Sequence, residues 1–281
     1  MNTATIRLDP RATHIRPVGG RLDVDFRELW HYRELLYFLV WRDIKVRYMQ
    51  TAIGVAWAVL QPLFTMLVFT IFFGKLARMP SNGIPHPIFY YSALLPWLYF
   101  AGTLTTTTST LVDHQRVIGK VYFPRLLLPV SATLSGLLDL AIGSTLLLAL
   151  MPLYGIAPRW QLLFLPAFVA LALLTAMAVG LWLAALNALY RDVRYAVPFL
   201  IQFWMFVSPV VYPSTLVPER WQWIYGLNPM AGVVEGFRWS LTGGAPAPGS
   251  VLLASLTAVI LVLCGGIIYF RRMETTIADV L

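Results

Sequence analysis

The chain has 281 residues, 58% of them apolar or aromatic and only 12% charged, where a soluble domain carries about 45–50% and about 25%. That excess excludes an ordinary soluble enzyme and a disordered chain, and the one cysteine, Cys264, excludes a disulfide framework or a cysteine-based metal site. The net charge of +8 then reads as a marker of membrane sidedness, with no nucleic-acid partner expected.

In chain order, residues 1–25 hold Arg7, Arg11, Arg16 and Arg21 but no apolar run of signal-peptide length, and are expected to form a mobile cytoplasmic tail. Residues 26–49 mix Phe26, Leu29, Trp30, Leu36, Val40 and Ile44 with Arg33, Arg42, Lys45 and Arg47. Such a basic amphipathic helix lies in the membrane interface, and its charged face is a candidate docking face for a cytoplasmic partner. A spanning helix needs about 20 mostly apolar residues. Six stretches qualify, at about 52–74, 88–112, 126–151, 161–187, 195–213 and 249–270. The expected fold is an all-α integral membrane protein with six transmembrane helices in one domain, residues 26–281. With both termini inside, sixteen of the 21 Lys and Arg fall on one side, so the N and C termini are expected in the cytoplasm.

The connections carry information of their own. Residues 113–123 predict a short helix capped by Asp113 and stopped before Pro124. It would expose Val117, Ile118, Val121, Tyr122 and Phe123 beside Arg116 and Lys120, a surface that calls for a partner. The connection at 190–195 is so short that spans four and five must form an antiparallel hairpin. Residues 218–242 read as two short helices, the second started by Asn228 as N-cap with Pro229 behind it and stopped by Gly243. Trp221, Trp223, Val233 and Phe237 are too apolar for a loop in water. A helical hairpin re-entering the outer leaflet is expected, with Glu235 and Arg238 able to pair on one helix face.

No GxxxxGKS/T, HExxH, CxxC or GxSxG motif occurs, so neither ATP binding in the P-loop mode nor a hydrolytic or metal centre is expected. Asp139 is the one acid near the middle of a span. Two readings stay open for it: a functional intramembrane acid, as an ion-coupled carrier would use, or a structural Asp bonded to another helix.

The strings TAIGVAWAVLQPLFTMLVFTIFFGKL, LLPWLYF, KVYFPRLLLPVSA, YRDVRYAVPFLIQFWMFVSPVVYP and LNPMAGVVEGFR together resemble the membrane subunits of ABC type-2 polysaccharide exporters, the permeases for O-antigen, capsule and teichoic acid chains. The likeness runs in order over roughly residues 28–275. It implies a multi-pass permease of the bacterial cytoplasmic membrane, working as a homodimer with two copies of a separate ATPase. That partner would hold ATP and Mg; no cofactor is expected in this chain, and it would not itself be an enzyme. The substrate would be a polysaccharide carried on undecaprenyl diphosphate. The resemblance also implies that the interface helix cradles the ATPase through Arg33, Arg42, Lys45 and Arg47. His114, Gln115, Arg116, Val117, Ile118, Lys120, Val121, Tyr122 and Phe123 would be a coupling helix. The periplasmic hairpin, with Glu235 and Arg238, would be an outer gate, and spans one and five would line the pathway. The nearest alternative is a permease of the same type for a drug or a lipid; an ion-coupled carrier is more distant.

A sugar chain has hydroxyl edges and apolar faces, so a route that lets it slide should offer flat rings and weak neutral hydrogen bonds. Phe64, Tyr91, Trp97, Tyr99, Phe100, Phe203, Trp204 and Tyr212 are the candidate pathway aromatics, and Thr105–Thr110 supply hydroxyls. Threonine within a span also commonly bonds its own helix backbone.

Overall fold

The computed structural model describes residues 30–49, 54–120, 122–244 and 247–280; of residue 275 and residues 277–280 only the backbone is described. The expected tail, the first four residues of the interface helix and Val121 lie outside the described residues. Every regular element among them is helical: α1 (Arg33–Met49), α2 (Ala56–Phe69) running into a π-helical segment (Thr70–Leu76), α3 (His86–Asp113), α4 (Gln115–Ile118), α5 (Leu127–Ser135), α6 (Leu137–Leu150), α7 (Leu165–Leu189), α8 (Val193–Val207), α9 (Glu219–Gly226), α10 (Pro229–Thr242) and α11 (Gly249–Val280).

Four segments are long and apolar enough to cross a membrane: Ala56–Leu76, Leu127–Tyr154, Trp160–Leu189 and Gly249–Glu274. The 28-residue α3 would reach about 42 Å, but its run of threonines makes it more polar than those four. The 15-residue α8 reaches only about 22 Å, short of a hydrocarbon layer of about 30 Å. It was expected to continue to 213 and instead ends at Val207. Pro209 disfavours helical geometry in the residue before it, and Ser208 is extended (φ −94°, ψ 154°).

The third apolar stretch is divided at Gly136 into α5 and α6. A side-chain carbon at Gly136 would sit 2.9 Å from Thr103 Oγ1, so glycine is what lets this segment lie against α3. The helix expected at 113–123 is reduced to α4. Asp113 ends α3 instead of capping the next helix, His114 (φ −102°) separates the two, and the chain is no longer helical before Pro124.

At the centre stands α3, packed by α2, α5, α6, α7, α8 and α10, with eighteen of its 28 residues buried. At one end, here called the basic end, Leu39, Leu111, Phe123, Leu127, Leu181 and Phe270 form one apolar cluster. There the Arg125 backbone N–H donates to the Glu274 carboxylate and its guanidinium to the Glu274 backbone carbonyl, and Arg271 pairs with that carboxylate at 3.3 Å. The opposite end holds α9 and α10. Asn228 caps α10 as the sequence suggests, accepting from Met230 N–H at 3.1 Å, and Gly243 closes it at φ 57°.

Candidate functional site

Between α2 and α8 the bundle opens into a groove of about 650 Å³. Its floor is the face of α3 that no other helix of the described residues covers: Gly102, Thr105 and Thr106 are exposed, and farther toward the basic end Ser109 is half-buried and Asp113 exposed. Spacings of three, four and seven residues put these on one side of the helix. Walls come from Trp57, Gln61 and Pro62 of α2 and from Pro198 and Ile201 of α8. A second hollow of about 260 Å³ shares Thr105 and continues past Ser109 to Asp113, Arg194 and Tyr195.

The floor hydroxyls are oriented by their own helix. Thr105 Oγ1 donates to Ala101 O at 2.9 Å, Thr106 Oγ1 to Gly102 O at 3.0 Å and Ser109 Oγ to Thr106 O at 3.3 Å. Each hydroxyl thus spends its one hydrogen on the backbone, and its lone pairs are left to accept from whatever lies in the groove. Along Thr105, Thr106 and Ser109 the result is a weakly accepting, uncharged surface, which ends at Asp113.

One wall carries charge. Asp139 of α6 accepts from the Arg47 guanidinium at one carboxylate oxygen and from the Tyr48 hydroxyl at the other. All three residues line the groove, and the Arg47 and Asp139 side chains remain 30% and 34% exposed. Of the two readings left open for Asp139, a bond to another helix is the arrangement seen, and the partner is the α1 helix.

At the other end Glu235 and Arg238 pair at 3.0 Å, their side chains 6% and 1% exposed. Arg238 also donates to Pro209 O at 2.8 Å and stacks over the Phe89 ring at 3.8 Å. Glu235 accepts from Ser214 N–H at 3.0 Å. The pair therefore clamps the segment after α8 to α10 and α3; each buried charge has its counter-charge and one further hydrogen bond, and Arg238 Nε has no hydrogen-bond partner among the described residues.

The expected pathway aromatics divide. Tyr91, Trp97, Tyr99 and Phe100 are buried in the bundle, and only Tyr99 among them borders the groove. Phe64 and Phe203 point outward, 59% and 63% exposed. Trp204 meets Phe100 edge-on at 5.2 Å and donates to Asn228 Oδ1 at 2.8 Å, while the Tyr212 and Tyr225 hydroxyls meet at 3.4 Å near the hairpin.

At the basic end the four interface-helix cations part company. Arg33 and Lys45 are exposed beside Trp30 and Trp41, Arg42 pairs with its neighbour Asp43 at 2.7 Å, and Arg47 turns inward. Arg116, Val117, Lys120 and Tyr122 are exposed, whereas Gln115 and Ile118 are half-buried. His114 Nδ1 lies 2.7 Å from Thr110 O. Phe123, expected on the surface, is only 6% exposed and anchors the loop in the apolar cluster.

Sequence reasoning missed Tyr48, Gln61 and Asn187. Asn187 donates to Thr108 O at 2.9 Å and accepts from Arg194 N–H at 3.2 Å, tying α3 to the α7–α8 turn. A polar amide in a 25-residue apolar helix was the available signal. Among the described residues no group of three His, Cys, Asp or Glu could hold a metal ion.

Residues 34–242 match the family described as ABC-2 type transporter. The chain is 33% identical over 256 residues to the O-antigen export system permease protein RfbA of Myxococcus xanthus, covering 88% of this chain and 96% of that protein. It is 24% identical over 249 residues to the protein of the same name from Klebsiella pneumoniae, covering 88% and 95%. It is also 24% identical over 241 residues to the polysialic acid transport protein KpsM of Escherichia coli, covering 83% and 91%.

Proposed function

Because the chain belongs to the ABC-2 type transporter family, we propose that it is the permease subunit of an ATP-driven exporter that moves a lipid-linked polysaccharide across the bacterial cytoplasmic membrane. In this reading the chain crosses the membrane six times. The long, polar α3 and the short α8 complete the four apolar spans, α9 and α10 re-enter the outer leaflet, and the basic end faces the cytoplasm. Two copies join along α2 and α8, whose outward Trp57, Phe64, Phe199 and Phe203 need cover, and the two grooves become one path. A separate ATPase, bringing ATP and Mg, docks on α1 and on the exposed Arg116, Val117 and Tyr122. The Glu235–Arg238 clamp belongs to the outer gate.

The observation that carries this reading is the uncovered face of α3. A polysaccharide must be held weakly and released at every step, and a row of hydroxyl acceptors beside apolar side chains does that where a row of charges would not. The Arg47–Asp139 pair supports the same path. Asp139 lies about 20 Å along the apolar stretch that starts at Leu126, well inside it, and a charge pair one-third exposed there must meet water or a polar ligand. The experiment is deletion with complementation in the native cell. Loss of the protein should trap long lipid-linked glycans in the cytoplasm, and the wild-type chain should restore export. Normal surface glycan in the deletion strain, with a drug or phospholipid retained instead, would move the assignment to another substrate.

A further inference from the structure

We infer that Arg47 and Tyr48 form an anion site on the groove wall, that Asp139 fills it as an internal ligand, and that its external ligand is the phosphoryl head of a membrane-embedded amphiphile. Consecutive residues of α1 give their donors to one carboxylate 92 and 91 positions away, one donor to each oxygen. This is the pattern of a two-donor anion site already occupied. Unlike the sealed Glu235–Arg238 pair, it is open to the groove, so another anion can reach it.

The shape of the groove selects the rest of the ligand. Trp57, Pro62, Leu95, Leu98 and Ile201 line the same space as the charged cluster, which suits a molecule with one anionic end and a long apolar part. A volume of about 650 Å³ is of the size that holds such a molecule. A phosphoryl group, with more charge and more oxygens than a carboxylate, competes well for a guanidinium. Exchange leaves Asp139 facing groove water and releases the C-terminal end of α1 from α6. Head-group arrival is thereby reported to the helix on the basic surface. The proposal rests on the groove being the substrate path and adds the residues that read the head group.

The test is direct binding to the purified full chain in phosphatidylcholine nanodiscs, with geranylgeranyl diphosphate, geranylgeraniol and inorganic diphosphate as probes. The prenyl diphosphate should bind and the other two should not. Asp139→Asn removes the internal competitor and should tighten binding about tenfold, while Arg47→Gln should weaken it at least about tenfold. The Arg47→Gln/Asp139→Asn double variant leaves no unpaired charge and serves as the folding control: it should stay monodisperse and fail to bind. Equal binding of the alcohol would leave only an apolar pocket, and equal binding of inorganic diphosphate would remove the lipid from the assignment. An Asp139→Asn variant that binds no more tightly would remove the internal ligand. Each of these overturns the proposal. Binding needs neither an ATPase nor a glycan, so its failure is distinguishable from failure of the export assignment.

Discussion

Glu235–Arg238 and Arg47–Asp139 are both ion pairs in an apolar bundle, and they sit in opposite settings. The first joins residues one helical turn apart, is sealed from solvent, and is held further by Pro209 O and Ser214 N–H. The second joins residues 92 positions apart and faces the groove. A sealed pair contributes architecture, because neither partner can leave without stranding the other in an apolar interior where Arg238 Nε already has no hydrogen-bond partner among the described residues. An open pair can exchange partners, because water or a ligand is at hand. The difference separates the part of the molecule that must stay still from the part that can respond.

The sharpest way to break this contrast is Arg238→Met, which leaves Glu235 buried without its cation and should cost about 3–5 kcal/mol. The thermal unfolding midpoint in detergent should collapse and recover in large part with Glu235→Gln/Arg238→Met. An unchanged midpoint for the single variant would refute the clamp. The basic end offers a parallel with no charge involved: Phe123→Ala, in the cluster with Leu39 and Phe270, should lose about 3 kcal/mol in the same unfolding assay. Gly102→Trp probes the open region. A Cβ there meets nothing within 4 Å and points into open groove, so folding should be unaffected, while glycan export should fall about tenfold, equivalent to about 1.4 kcal/mol of barrier. Normal export would mean that the floor of the groove is not on the route. The smallest stability change is expected for Arg47→Gln, about 1 kcal/mol or less for a pair that groove water reaches; a loss as large as that of Arg238→Met would erase the distinction.

What could be read in the sequence was local. The Asn228 cap, the stop at Gly243, the short α7–α8 connection and the Glu235–Arg238 spacing are decided by residues within a turn or two of each other. Each appears where the sequence places it. The Arg47–Asp139–Tyr48 cluster could not be read, because its members meet only where the packing of α1 on α5 brings the end of α1 to Asp139 of α6. Composition groups Arg47 and Phe123 with surface neighbours, but Arg47 reaches Asp139 and the loop turns Phe123 into the apolar cluster. The aromatic content likewise gave no sign of which rings face the groove: burial takes Tyr91, Trp97 and Phe100 into the core around α3, and exposed hydroxyls on that same helix are left to form the floor.

The central claim is that this hydroxyl face is a hydrated path through an apolar bundle. It is tested most directly by thiol labelling during export, in a chain whose exposed Cys264 has been replaced by serine. Thr105→Cys, on the groove floor, and Leu261→Cys, 67% exposed on the apolar surface of α11, are each treated with a membrane-impermeant thiol reagent. The account predicts that the thiol at 105 reacts and that export stops once it has, while the thiol at 261 is untouched. A thiol at 105 as unreactive as the one at 261 would contradict it.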